Sequence, residues 1–589
     1  MAEHFGFSAT VIAEPIEDFV TGPDCKKSME SGDWGCVAAK TKPFCKLKED
    51  GTHARFVEDF KGFAPDVLVY NGLGIEQCLE AVVEALPDVP RLDVALQNSC
   101  IATNENKLAT FYRDLPDPET PPVLTFIWSV GATEDLLDEY KKALADSKGK
   151  EEVFKLIQTK PPPEMMFEYF FEPETWLLPR FVACSPSLFP NPKDWKSSDN
   201  IKVNGCLKLS KEVQDEYTQK GSKYFSVGSE YEQCKEFIAK HGPPVYIGWG
   251  SMFVYTKEHM CLLAVRALKR AGEKAIILGG WAKICLDHLA GAEDEEELRA
   301  WCADNVLFVK AAPHELLFPQ CKAAVHHGGI GTAQASIAAG CPTVVTPVFS
   351  DQFDNAKAVV NSGCGVSTTR LGLLEYPELG DAIKQICSNT TYSVAAKAMA
   401  ESMAKEDGVG TLSSWLEKFC EEEVKTGKYK ARQAEYLERL YQLREKNKKM
   451  TVPQLNAKFM AVLMTRYPAI KEWNISNMRF MTTASDLASK GKLWWVQGDT
   501  VLARGGEGLK TPEVGRFKRF AFVEELAKKG SRLHVRRLKG KGPDEGWVTT
   551  AVKGKDMVAL VKDAKDVGRV SQMQFDELFQ DMQPEKEDD

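Results

Sequence analysis

The chain has 589 residues, 43% of them hydrophobic and 27% charged, with a formal net charge of −9. This length can bury several cores, about three or four domains' worth. No uncharged apolar run is long enough to cross a bilayer, and the N-terminus Met1-Ala-Glu-His-Phe-Gly-Phe7 lacks a basic region followed by an apolar core, which argues against membrane spanning and secretion.

The 16 cysteines are scattered, with no Cys-x-x-Cys pair and no cysteine–histidine spacing suited to zinc. They read as reduced thiols of a cytoplasmic protein, most of them buried as small apolar groups. From Arg55 to Leu207, apolar strand-like segments alternate with helical ones: Pro65 to Tyr70, Leu92 to Leu96, Val123 to Trp128, Phe181 to Cys184 and Ile201 to Asn204. Short strands separated by helices predict a parallel sheet with crossover connections. A second alternation runs from Val245 to Val366 through Lys274 to Leu278, Val306 to Val309, Ala323 to Val325 and Thr343 to Thr346. Two α/β doubly wound units in tandem, joined by a polar stretch near Gln214 to Lys240, put a ligand crevice at the carboxyl ends of their strands.

The strand pattern stops beyond Gly410. Leu437, Leu440, Tyr441 and Arg444 recur at helical spacing, and Phe459 to Leu463 supplies another apolar face, so helices packed on the body are expected to Lys490. From Leu493 to Val552 the text turns all-β: Leu493 to Val496, Val501 to Ala503, Phe520 to Leu526, Arg532 to Arg537, then the Gly542-Pro-Asp-Glu-Gly-Trp-Val548 ending, with turn residues at Gly498-Asp499, Gly530 and Gly542-Pro543-Asp544. That ending resembles a Src-homology-3-like barrel, with Trp547 expected in its core. Residues 503–555 hold 14 Lys and Arg against 6 Asp and Glu, a basic module on an acidic body. Such a patch suits an acidic protein partner or a peripheral membrane contact, or is simply a solvated face. No nucleic acid partner is expected. The tail from Gln583 is acidic.

The most informative text is Val325-His326-His327-Gly328-Gly329-Ile330-Gly331-Thr332. An apolar strand runs into a glycine-rich turn and then a helix-forming segment, so main-chain N–H groups at a helix N-terminus face a crevice beside two histidines and a threonine hydroxyl. This is an anion site in the making, and glycine lets a polyphosphate approach the main chain closely.

Continued to Ala356, the segment His327-Gly-Gly-Ile-Gly-Thr to Ser350-Asp351-Gln352-Phe-Asp-Asn-Ala356 resembles the nucleotide-sugar signature of family 1 UDP-glycosyltransferases, on the side of the sterol and antibiotic glycosyltransferases. Pro244 to Met252, ending in Gly250-Ser251-Met252, and Ala312-Pro313-His314 resemble two further pieces of that family's C-terminal domain, in order. The resemblance covers roughly residues 60 to 420. It implies a GT-B fold with an acceptor-side α/β domain over 1–235, lacking its first strand, and a UDP-sugar domain over 236–408; the helical segment then covers 409–490, the β domain 491–556 and a helical, acidic tail 557–589. It implies that His327 meets the diphosphate with Gly329, Gly331, Thr332 and Ser251 beside it, that Asp351 and Gln352 take sugar hydroxyls, that Ala312 to His314 lie near the uracil, and that Trp281 walls the cleft. The family's ribose-binding glutamate has no counterpart, since Ala335 stands there.

The activity implied is inverting transfer of a hexose, glucose by resemblance, from a UDP-sugar to a lipophilic alcohol such as a sterol. With no Asp-x-Asp triplet in the chain, a metal-free route is favoured, in which helix amides and neutral donors stabilise the leaving group. No metal and no cofactor are expected. The first strand and loop of the family, where its general base lies, have no match before Ala13, and His4 is not a convincing substitute. The base therefore stays unnamed, and a nucleotide-sugar-binding scaffold with a basic partner module is the alternative reading.

Overall fold

The structure is a computed structural model that describes residues 51–70, 81–96, 179–191, 201–208, 212–214, 216, 229–348, 351–447, 449, 491–540, 542–552, 554–562 and 570. The expected strand at Val123 to Trp128, the start of the chain before Gly51, the helical text from Phe459 to Lys490 and most of the tail lie outside these residues. The described chain divides into two compact units, one holding two parallel sheets and the other an antiparallel one.

In the first sheet, strands β1 (Leu68–Tyr70), β2 (Arg91–Ala95), β3 (Arg180–Val182) and β4 (Ile201–Val203) pair in parallel and in chain order. Leu92 and Phe181 are fully buried on it. The second sheet contains β5 (Val245–Gly248), β6 (Ala275–Leu278), β7 (Val306–Val309), β8 (Ala323–His326), β9 (Thr343–Val345) and β10 (Gly365–Ser367) in the order β10-β9-β8-β5-β6-β7. Numbered from its own first strand this is the doubly wound order 3-2-1-4-5-6, which changes direction between β5 and β8. Two parallel sheets in tandem are the α/β arrangement expected from the sequence.

The strands of the second sheet read as continuous apolar runs because helices cover both faces. Val245, Ile247, Ala323 and Val325 pack on helix α1 (Lys257–Ala271), and Tyr246, Ala324 and Ile276 on the opposite side. Thr256 starts α1 by accepting from the His259 N–H at 3.0 Å, and Gly272, at φ 70°, ends it. Helices α2 (Ile330–Ala338) and α3 (Gln352–Asn361) follow β8 and β9.

The two sheets are joined by one mixed core. Val182, Cys184, Leu188 and Phe189 from the first pack with Ile337, Val345, Ala356 and Val359 from the second. Polar bonds reinforce it: the Ser185 N–H donates to Gln334 Oε1 at 2.7 Å, while Ser185 Oγ and the Ser187 N–H donate to Glu406 Oε1 at 2.9 and 3.1 Å. After Gly408 the chain returns to the first sheet. Trp415 of α4 (Gly408–Phe419) lies 5.6 Å from Phe181, and Tyr429, Tyr436, Leu437 and Tyr441 of α5 (Lys428–Asn447) pack around the same core.

In the remaining unit the described residues from 491 to 562 are all-β, as expected. Strands β11 (Leu493–Val496), β12 (Thr500–Arg504), β13 (Glu513–Lys518), β14 (Phe522–Lys529), β15 (Arg532–Lys539), β16 (Glu545–Thr549) and β17 (Val558–Leu560) form an antiparallel sheet in the order β13-β12-β16-β15-β14-β11-β17. Leu533, Val535 and Val548 alternate inward, while Arg532, His534 and Trp547 take the intervening positions. Trp547 is therefore not a core residue. It is half-exposed and stacks on His534 at 4.9 Å with an interplanar angle of 6°.

Gly205, at φ +96°, and Gly408 bring two chain passages into backbone contact, and a Cβ on Gly408 would lie 2.5 Å from Cys206 O. Gly408→Ala is accordingly expected to destabilise the α/β unit by about 1–3 kcal/mol. Urea unfolding monitored on that unit checks it, and an unchanged midpoint would show that the contact is soft.

Candidate functional site

The carboxyl ends of β5 and β8, where the strand order reverses, carry Trp249-Gly250-Ser251 and His327-Gly328-Gly329. Such a reversal leaves a crevice because the two following connections run to opposite faces of the sheet. The adjacent histidines have opposite fates. His326 ends β8 and is fully buried: the Gly328 N–H donates to its Nδ1 at 3.0 Å, and its Nε2 lies 3.3 Å from Ser336 Oγ. With Nδ1 accepting, the proton sits on Nε2 and the ring is neutral. Burial holds its pKa well below the usual histidine range. It is a framework residue that shapes the turn.

His327 follows in the turn after β8. Its ring is half-buried and is walled by two glycines: a Cβ on Gly250 would sit 3.4 Å from Cε1, and one on Gly329 would sit 2.5 Å from Nε2. Its Nδ1 is buried without a hydrogen-bond partner. Burial first, and the charge of His314 second, lower its pKa to about 4, so the ring is neutral at pH 7. A neutral imidazole with an unsatisfied nitrogen can donate to or accept from a ligand without adding charge.

Beside it, α2 opens with Gly329 as its N-cap and no side-chain cap. The first amide with a helical partner is that of Ala333, which donates to Gly329 O at 2.9 Å. The N–H groups of Ile330, Gly331 and Thr332 precede it and are the orphan donors of a helix start. Gly331 is exposed and Thr332 half-exposed, so these donors and the positive end of the helix are open to an anion.

Helix α3 starts at Gln352 against the same turn. Gly328 has φ +86°, and a Cβ there would meet Val345 Cγ1 at 2.6 Å and Gln352 O at 3.2 Å, so no other residue fits. Asp351 precedes the helix, half-buried, and burial pushes its carboxyl up to about 6 against the hydrogen bond from Asn355. At neutral pH it is ionised, an acceptor for ligand hydroxyls.

The structure therefore brings Ser251, His327, Gly329, Gly331, Thr332 and Asp351 around one switch point. Trp281 joins them through its main-chain N–H, which donates to Gly250 O at 2.9 Å. Gln352 is placed differently from the expectation of a sugar contact. It is 4% exposed, its Oε1 accepts from the Val348 N–H at 2.8 Å and its Nε2 reaches Met252 Sδ at 3.5 Å, so its amide holds the two loops together. His314 is likewise committed, its Nε2 2.9 Å from Tyr246 Oη and its ring stacked on Phe318 at 4.6 Å. Burial lowers its pKa.

Sequence reasoning missed three supporting residues. Trp249 donates from Nε1 to Thr346 Oγ1 at 2.9 Å, and Thr346 donates through N and Oγ1 to His326 O at 2.9 and 3.2 Å, tying β5, β8 and β9 together. Asn355 is fully buried and donates from Nδ2 to Gly328 O at 2.8 Å and to Asp351 Oδ2 at 2.9 Å. Its spacing of four from Asp351 on a helix was the available signal. Among the described residues no group of three His, Cys, Asp or Glu side chains is arranged to hold a metal ion.

Strand order and the uncapped helix start together define a doubly wound domain with a candidate anion site at its switch point. Residues 286–410 match the C-terminal domain of the erythromycin biosynthesis protein CIII-like family. Over 235 residues, 39% of this chain, the sequence is 33% identical to a sterol 3-beta-glucosyltransferase of Arabidopsis thaliana, covering 32% of that protein. A sterol 3-beta-glucosyltransferase of Saccharomyces cerevisiae is 33% identical over 238 residues, 40% of this chain and 18% of its own length. The matched stretch thus spans a third or less of these curated relatives. Among solved structures, Os79 from O. sativa in complex with UDP is similar at a TM-score of 0.40 and 17% identity, over 62% of this chain and 80% of that one. The glycotransferase of kitacinnamycin is similar at 0.38 and 15%, over 67% and 81%. The C-terminal α/β half is thus similar to family 1 UDP-glycosyltransferases, in agreement with the motifs read from the sequence.

The folded protein keeps His327 neutral down to about pH 4, whereas the ordinary value is 6.5. In that window the unfolded chain binds more protons, so acidification destabilises the fold, and His326 acts in the same direction. Asp351, raised to about 6 from 3.8, acts oppositely and costs stability as pH rises through that range. His327→Ala is expected to flatten the acid limb of a stability–pH profile and Asp351→Asn to steepen it. Urea midpoints between neutral pH and about pH 4 decide, and two unchanged slopes would overturn both assignments.

Proposed function

We propose that the protein is a UDP-sugar-dependent glycosyltransferase that moves a hexose, glucose, to the hydroxyl of a lipophilic acceptor such as a sterol, with inversion by direct displacement and without a metal. The observation that carries this reading is the open first turn of α2, whose amides of Ile330, Gly331 and Thr332 have no partner among the described residues, set beside the unpartnered Nδ1 of His327. A departing diphosphate gains negative charge as the glycosidic bond breaks. Preorganised donors that already point at that charge stabilise it without rearranging at the moment of reaction. A neutral His327 serves as one of them, and the helix end supplies the rest.

Asp351 supports the sugar-binding part, since an ionised carboxylate half-buried one turn away accepts from paired hydroxyls and so discriminates hexoses by geometry. Glucose and the sterol acceptor are suggested by the two sterol 3-beta-glucosyltransferase relatives. The antiparallel domain is read as a Src-homology-3-like module for an acidic partner, on the strength of its 14 basic residues between Ala503 and Lys555. The protein is placed in the cytoplasm, with membrane contact peripheral.

Incubation of the purified chain with UDP-glucose and a sterol should release UDP only when the acceptor is present. His327→Ala is expected to lower that rate by about 10²–10³-fold, the usual cost of losing one preorganised donor. Binding of UDP-glucose with no acceptor-dependent release would instead mark a nucleotide-sugar-binding scaffold. Asp351→Asn is expected to raise the KM for UDP-glucose by about tenfold while leaving UDP affinity unchanged. Equal losses for both ligands would place Asp351 away from the hexose.

A further inference from the structure

We propose that Asn355 is a positioning residue that aims both the phosphate-facing and the sugar-facing groups of the site at once. The proposal rests on the nucleotide-sugar reading above and adds a residue that touches no ligand. Asn355 lies on the inner face of α3, fully buried, and spends both hydrogens of its amide nitrogen: one on Gly328 O at 2.8 Å, the other on Asp351 Oδ2 at 2.9 Å.

The first bond fixes a peptide plane. In a trans peptide the C=O of one residue and the N–H of the next point in opposite directions. Holding Gly328 O toward α3 therefore turns the Gly329 N–H away from it, at the head of the row of open α2 amides. Gly328 is the residue that needs such a hold, because at φ +86° with no side chain its own conformational preferences do not choose the orientation. The second bond fixes the carboxylate of Asp351, which has no cap to make on its own helix. One planar amide thus sets the angle between a main-chain donor and an acidic acceptor that belong to different elements. The Oδ1 atom of Asn355 is buried without a partner, an unfavourable state for an amide oxygen. Two directed donor bonds account for an asparagine here where an apolar side chain of the same size would pack without that penalty.

Asn355→Ala and the volume-matched Asn355→Leu test this. Calorimetry should show each variant binding UDP about tenfold more weakly, through the freed Gly328–Gly329 peptide, and losing a further factor for UDP-glucose through Asp351. Asp351→Asn loses only the second factor, so the two-part loss is the signature of a residue acting on both groups. A purely structural role would lower the melting temperature and leave the ratio of UDP to UDP-glucose affinity untouched. Amide exchange over residues 327–332 supplies a readout that needs no ligand and should accelerate in both variants. If the parent protein binds neither ligand, the nucleotide-sugar reading fails, and the exchange result still judges the positioning role. Variants that melt like the parent, bind UDP like the parent and exchange like the parent would overturn the proposal.

Discussion

The start of α2 is the constraint on which the rest of this architecture depends. A helix that begins without a side-chain cap leaves amides that water or a ligand must satisfy, and the surrounding structure keeps this one bare. Gly329 occupies the cap position, Gly331 adds no side chain in the first turn, and the His327 ring packs against Gly250 of the turn that follows β5. An ordinary helix would gain stability from a serine or aspartate at that cap. Its omission leaves the helix end free for the diphosphate of the proposed donor.

What keeps the helix end in place is a set of buried polar bonds beneath it. His326, Ser336, Thr343, Thr346 and Trp249 form a continuous chain linking β5, β8 and β9 under the glycine turn. Each member is buried and each has a directed partner, so the network specifies one geometry instead of merely filling space. The two histidines divide the labour: the inner one is satisfied by the framework, while the outer one keeps an unsatisfied nitrogen. The same division separates Gln352, whose amide bridges Val348 and Met252, from Asp351 next to it.

Much of this was legible in the sequence because the features in question are local. The β8 strand, its glycine turn and α2 announce themselves through an apolar run followed by glycines and small helix formers, and the parallel sheets follow from short apolar runs at crossover spacing. Tertiary partners were not legible. That Gln352 points into the loops, that His314 pairs with Tyr246 and that Asn355 spans two elements depend on which side chains meet across the fold, and spacing along one element does not encode that. In the antiparallel unit, β13 escaped notice because it is an edge strand in which Phe517 alone is buried, leaving no alternation to read. Trp547 was misplaced for a related reason: its size suggested a core position, but its register, between inward-facing Gly546 and Val548, sends it to the other face.

The contact between Gly205 and Gly408 carries a mechanical consequence. Here the chain leaves the first sheet and later comes back to it, and the two passages touch through bare backbone. Close by, Glu406 receives Ser185 and Ser187, while Gln334, on the second turn of α2, receives the Ser185 amide. The bonds of Ser185 and Ser187 to Gln334 and Glu406 thus tether the first sheet, right beside that glycine pair, to the same helix whose first turn carries no side-chain cap.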